Sequence, residues 1–66
     1  MDVRYPNISV QLTGIDGNAF MILGTMMRAL RRARLPQEEL DLFMNEAKSG
    51  DYDHLLQTCM KWVDVN

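Results

Sequence analysis

Polar and apolar positions change rhythm along this chain, and each change marks an element. Ile8-Ser9-Val10-Gln11-Leu12-Thr13 alternates with period two, which predicts a half-buried strand with Ile8, Val10 and Leu12 toward the core. Tyr5-Pro6-Asn7 ahead of it reads as an entry turn or a strand edge, because proline has no N–H to give a ladder. Gly14-Ile15-Asp16-Gly17 predicts a turn whose glycines are free to adopt positive φ.

From Asn18 the period becomes helical. Asn18 or Asp16 serves as N-cap, and the helix runs to about Arg34. At about 100° per residue, Ala19, Phe20, Ile22, Leu23, Met26, Met27, Ala29, Leu30 and Ala33 fill more than half of the circumference. A surface helix normally shows a stripe of about 100° or a little more. The excess predicts self-association. The narrow opposite sector holds Asn18, Met21, Thr25, Arg28 and Arg32. Gly24, inside the helix, costs about 1 kcal/mol against alanine and reads either as room for another backbone or as a glycine that is merely tolerated.

Leu35-Pro36 ends this helix and opens the next, with proline at the first helical position and Glu38 and Glu39 complementing the positive helix end. Leu40, Phe43, Met44 and Ala47 repeat at i, i+3, i+4, i+7, an amphipathic second helix. Ser49-Gly50 stops it, with Gly50 expected as the left-handed residue. Asp51 caps a third helix with Tyr52, Leu55, Leu56, Cys59 and Val63 on one face. Residues 61–65 fit a last helical turn or a short strand, and the alternating β-branched residues favour a strand paired with residues 8–13. The expected architecture is one α+β domain over residues 1–66, mostly helical: an N-terminal strand, three short helices and a short C-terminal strand.

Sixty-six residues bury only about 60% of the unfolded surface, so such a chain is marginal without disulfides, metal or oligomerisation. The single cysteine, Cys59, excludes an internal disulfide, and one cysteine with one histidine, His54, leaves no structural zinc set. Cys59 in an apolar helical pattern reads as a buried thiol, in keeping with a reducing cytoplasm. Residues 1–15 are polar and mixed, and no apolar run approaches the roughly 20 residues of a membrane span, so neither a leader nor a membrane segment is expected. The six methionines read as gap-fillers of the core or of an adaptable interface.

Charge is divided unevenly. Residues 1–35 carry five arginines against two aspartates, whereas residues 36–66 carry two lysines against seven acids. The acidic half argues against wrapping on DNA. A helix-turn-helix reading of the last two helices meets the same objection, since the would-be reading helix starts Asp51-Tyr52-Asp53-His54. Arg28, Arg31, Arg32 and Arg34 form either a solvated face, free or salt-bridged to the acidic half, or an anion site. In the second case Arg28 and Arg32, one turn apart, act as planar forks on phosphate, with Asn18, Thr25 and Met21 on the same stripe. Tyr52 and Trp62 are candidates for stacking a base, although a core this small needs most of its aromatics. Pairing two chains would bring two arginine pairs to a two-phosphate ligand. His54 has no nucleophile placed by spacing, and no catalytic role is expected of it.

At Tyr5-Pro6-Asn7-Ile8-x-Val10-Gln11-Leu12-x-Gly14-x-Asp16-Gly17-Asn18-Ala19-Phe20-x-Ile22-Leu23-Gly24 the chain resembles a family of very short proteins encoded by bacteriophages, prophages and plasmids. The resemblance continues at Ala29-Leu30-Arg31-Arg32-Ala33, Ser49-Gly50-Asp51-Tyr52-Asp53-His54-Leu55-Leu56 and Trp62-Val63, nearly the whole chain. It implies a setting, the cytoplasm of a bacterial host, and no residue roles. Small phage accessory proteins without catalytic motifs often counter host defence. The resulting expectation is a non-enzymatic homo-oligomer, without cofactor or metal, that sequesters a nucleotide-derived immune signal of the cyclic-nucleotide or ADP-ribose type. The alternatives are a protein-binding module that inhibits a host defence enzyme, and a small nucleic-acid-binding regulator.

Overall fold

The computed structural model describes residues 2–12, 14 and 17–66. The elements are β1 (Tyr5–Val10), α1 (Ala19–Arg32), α2 (Gln37–Ala47), α3 (Tyr52–Trp62) and β2 (Val63–Val65). This is the small, mainly helical α+β fold expected. The two strands pair in parallel, with Tyr5 opposite Val63, Ser9 opposite Asp64 and Val10 opposite Val65. A parallel pair needs a long crossover, and here the three helices supply it. The register is irregular between Tyr5 and Ser9, the stretch that contains Pro6. Proline, lacking an N–H, sits where the ladder is already broken. The pairing continues past β1, because Asn66 N–H donates to the Val10 carbonyl at 2.9 Å and Leu12 N–H to the Asn66 carbonyl at 2.8 Å.

The period-two reading of the strand holds: Val10 is buried, and Ile8 and Leu12 pack half-buried against the core. Strand β1 nevertheless begins at Tyr5, so the segment expected as an entry turn or edge belongs to it. Of the wide apolar arc on α1, only Ile22, Met26 and Leu30 are fully buried. Leu23, Met27 and Ala29 pack partly against the core, and Phe20 is 84% exposed. A Cβ at Gly24 would meet no atom within 4 Å among the described residues outside its own helical turn, so no other element of this chain approaches it closely. The remaining core comes from Leu40, Phe43 and Ala47 of α2 and from Leu55, Cys59, Trp62 and Val63 at the C-terminal end. Burial pushes the Cys59 thiol up to about 11, so this buried cysteine is held protonated and unreactive.

Asn18 caps α1, its side-chain oxygen accepting from Phe20 N–H at 2.8 Å. The alternative cap, Asp16, lies outside the described residues, as do Thr13 and Ile15. Pro36 stands one residue earlier than expected, as the extended N-cap of α2 without a side-chain hydrogen bond. The acids Glu38 and Glu39 occupy that first turn, where the free N–H groups favour negative charge. Asp51 caps α3 by accepting from His54 N–H at 2.9 Å.

Two helix ends differ from expectation. Helix α1 closes with a non-glycine residue, Arg34, at φ 63°. Leu35 N–H donates to the Leu30 carbonyl and Arg34 N–H to the Arg31 carbonyl, the paired bonds of a Schellman closure. Arginine holds the left-handed position that glycine normally fills, so Arg34→Gly is expected to raise stability by about 1 kcal/mol, read from urea denaturation. Gly50, by contrast, is not left-handed, since Gly14 at φ 83° is the positive-φ glycine among the described residues. Its glycine requirement is steric: a Cβ there would stand 2.8 Å from Cβ and Cγ of His54.

The N-terminal arm is clamped across the molecule. Arg4 donates from Nε and Nη2 to the two carboxylate oxygens of Glu39, each at 2.9 Å, and its guanidinium lies 4.8 Å from the Trp62 ring centroid. The Tyr5 hydroxyl donates to the same carboxylate. Arg4 first, and Tyr5 second, hold the Glu39 carboxyl below its ordinary value. A depressed folded-state pKa stabilises the fold above the unfolded-state value of about 4.3, and that contribution is lost as pH falls through the folded value. The melting-temperature gap between wild type and Glu39→Gln is therefore expected to stay constant from pH 8 to about 5.5 and to close under more acid conditions. Thermal melts across that range check it.

Candidate functional site

The C-terminal end of β1, with Gln11 after it, and the flank of α1 leave a groove between them. It has a volume of about 190 Å³ and is lined by Ser9, Val10, Gln11, Thr25, Arg28, Ala29 and Arg32. Helical spacing explains the α1 wall: Thr25, Arg28 and Arg32 follow at i, i+3 and i+7 and share one side. Strand alternation explains the other wall. Val10 turns inward to the core, so Ser9 and Gln11 project on the opposite face.

Neither Arg28 nor Arg32 is ion-paired to a carboxylate among the described residues; the two salt bridges there join Arg4 to Glu39 and Lys61 to Glu46. The basic end of α1 is thus not neutralised by the acidic half of the chain. Arg28 Nη2 lies 3.5 Å from Thr25 Oγ1, at the limit of a hydrogen bond, while Thr25 Oγ1 donates to the Met21 carbonyl at 2.8 Å. Thr25 therefore orients Arg28 as an acceptor and has no proton left for a ligand. Ser9 Oγ accepts from Asn66 Nδ2 at 2.6 Å, which frees its own proton for donation. The Val10 carbonyl faces Asn66, and across a trans peptide the Gln11 N–H must then point away from β2, onto the free edge of the sheet. Two guanidinium forks, a hydroxyl and strand-edge groups make a donor-rich groove suited to an oxyanion.

The structure divides the seven residues proposed from the sequence. Thr25, Arg28 and Arg32 line the groove together. Asn18 and Met21 lie toward the N-terminal end of the same helix, where the Asn18 side-chain oxygen serves as the cap and Met21 is 49% exposed. Tyr52 lines a different groove, with Ala19 and Leu23. Trp62 is not a stacking platform for a ligand: it is 3% exposed and packs edge-on against Phe43 at 5.4 Å. Its place as the last residue of α3 turns it inward, and the core claims it, as the scarcity of aromatics in so short a chain would suggest. Ser9 and Gln11 were missed. Their signal, the polar half of the strand alternation, becomes a site signal only once β1 is known to lie beside α1.

Two other constellations lie apart from this groove. The larger cavity, about 620 Å³, lies between the N-terminal arm and α3 and includes Arg4, Glu46, Lys61 and Trp62. Its two cations are already paired, Arg4 with Glu39 and Lys61 with Glu46, and Asp2 adds a further acid to the lining, so it offers an anion less than the smaller groove. Ser49 and His54 approach to 3.0 Å between Oγ and Nε2, the distance of a nucleophile–base pair. Nε2 also lies 2.8 Å from the Glu46 carbonyl, which can only accept, so Nε2 carries the proton. Ser49 Oγ donates to that same carbonyl at 2.7 Å. The pair caps the end of α2 and is not poised to abstract a proton from serine. Among the described residues no group of three or more histidine, cysteine or acidic side chains is placed to hold a metal ion. No helix among them is long and apolar enough to cross a membrane.

Fold and groove together define a small α+β domain with a donor-rich groove that no carboxylate among the described residues neutralises. No family model, curated protein or solved structure matches the chain.

Proposed function

We propose that this protein is a non-catalytic, self-associating module that binds and sequesters a phosphate-bearing small ligand at the β1–α1 groove. The observation that carries the reading is the pair Arg28 and Arg32, one helical turn apart on a groove wall and without a carboxylate partner among the described residues. Unpaired guanidinium forks beside a free hydroxyl are the chemistry that recognises phosphate oxygens. At about 190 Å³ the groove takes a phosphoryl group with part of its sugar, well below the roughly 300 Å³ at which pockets for whole drug-sized ligands begin. A ligand with two phosphates would use two grooves from associated chains. The resemblance to phage-encoded accessory proteins supplies the setting, in which a nucleotide-derived immune signal, a cyclic nucleotide or an ADP-ribose derivative, is the ligand.

Isothermal titration of the purified chain with cyclic dinucleotides and with cyclic ADP-ribose isomers tests this. Saturable binding in the micromolar range or tighter is expected. Failure of every such ligand to bind more tightly than about 1 mM, a free energy of about −4 kcal/mol, overturns the reading.

A further inference from the structure

Phe20 is 84% exposed, more than any other large apolar side chain among the described residues. It stands in the first turn of α1, beside a groove of about 220 Å³ lined by Ala19, Leu23, Ala47, Tyr52 and Leu55, with Lys48 and Asp51 at its rim. The groove has an apolar floor, since Ala47 and Leu55 beneath it belong to the core, each 3% exposed. We infer that a second copy of this chain docks here about a two-fold axis, each copy inserting its Phe20 ring into the groove of the other. The inference rests on the self-association in the proposed function and not on its ligand.

Three observations select a second copy as the occupant. The first is fit. A cavity of about 150 Å³ lined by apolar side chains is enough to hold a benzene ring, and this groove exceeds that. The ring and its receptor lie within one turn of each other on α1, Phe20 beside Ala19 and Leu23. A single two-fold rotation can therefore satisfy both insertions at once, as an isologous contact requires. The second is charge. Among the described residues the rim carries one cation, Lys48, and one anion, Asp51. In a two-fold contact Lys48 of one copy can face Asp51 of the other, so the contact is charge-neutral and self-complementary.

The third is area. An aromatic side chain buries about 150–250 Å². Two such rings supply about 300–500 Å², and with the groove walls and the half-exposed Tyr52 of each copy the contact falls at the small, weakly associating end of interface sizes. Gly24, one turn on, adds no side chain to hold the two α1 backbones apart. The same contact covers part of the surplus of the apolar arc: of its exposed members, Ala19 and Phe20 lie at this end of the helix and Ala33 at the other.

Sedimentation velocity on the full chain in ligand-free buffer, from about 1 to 200 µM, is expected to show a monomer–dimer equilibrium. Phe20→Asp is expected to weaken the dimer about 30-fold or more, as loss of a central aromatic anchor does, with an unchanged thermal melt at concentrations where the wild type is monomeric, because Phe20 makes little of the core. In a second arm, benzoylphenylalanine replaces Phe20 and ¹⁵N-labelled chain is mixed with unlabelled chain. Photo-cross-links between copies are expected at Leu23 or within residues 47–55. A wild-type monomer at 200 µM, or between-copy cross-links that fall elsewhere, overturns the inference. A dimer that binds no nucleotide overturns the ligand reading alone, and a monomer that still binds nucleotide overturns the docking alone.

Discussion

Trp62→Ala is expected to leave the chain largely unfolded at 25 °C. The indole is 3% exposed and meets Phe43 edge-on at 5.4 Å, Tyr5 at 5.9 Å and the Arg4 guanidinium at 4.8 Å. Its Nε1–H donates to Glu46 at 3.3 Å. It thus joins α3, α2 and the N-terminal arm. Truncating a buried tryptophan to alanine costs about 3–5 kcal/mol. A domain of this size rarely holds more than about 3–5 kcal/mol in total. The two figures are comparable, so the variant loses most of its stability. Trp62→Phe keeps the ring packing and gives up only the hydrogen bond, and is expected to remain folded with a lowered melting temperature. Far-ultraviolet circular dichroism with urea titration distinguishes them. A cooperative, native-like melt of Trp62→Ala would mean that the arm and α3 are not packed around this ring.

The second large effect concerns binding, with the fold left intact. Replacing both Arg28 and Arg32 by alanine is expected to weaken any phosphate-bearing ligand about 100-fold or more, because each charge-assisted hydrogen bond is worth about 1.5–3 kcal/mol. Stability should move by no more than about 0.5 kcal/mol. Both side chains are exposed and unpaired to acids among the described residues, and removing like charges one turn apart relieves a small repulsion. Arg28→Lys is a sharper probe. It keeps the charge but loses the planar fork, so an intermediate loss identifies bidentate recognition and no loss identifies a purely electrostatic contact. Unchanged titrations of the double variant would remove the groove from the functional reading.

The division between what could be read in advance and what could not follows the range of the interactions. The caps were legible, since Asn18 and Asp51 bond to N–H groups two and three residues away. So was the inward face of β1, because Val10 follows a period-two pattern that any half-buried strand shows. The arginine pair was legible for the same reason, helical spacing, and it lies on the groove. Gly50 was read as a backbone requirement, whereas its constraint is the His54 side chain packed against it. Arg34 in the left-handed region had no signal at all, because the closure is imposed by hydrogen bonds to Leu30 and Arg31 on a residue that would not choose it. The clamp of Arg4 and Tyr5 on Glu39 spans 34 or more positions, beyond any local pattern.

The sequence by itself thus determined the number and order of the elements, the side-chain caps of α1 and α3, the inward face of β1 and the placing of Arg28 and Arg32 on one side of α1. These depend on neighbours within about one turn or one strand pair, where covalent geometry fixes which side chains share a face. Only the tertiary structure decided the partners across the chain. It set β1 beside β2 in parallel, put Ser9 and Gln11 opposite Arg28 and Arg32, drew Trp62 into the core, and left Phe20 outside it. Those choices come from competition for one small core, where burying Trp62 excludes it from any ligand site. The arc on α1 is wider than the sheet and two helices can cover, so its end remains exposed.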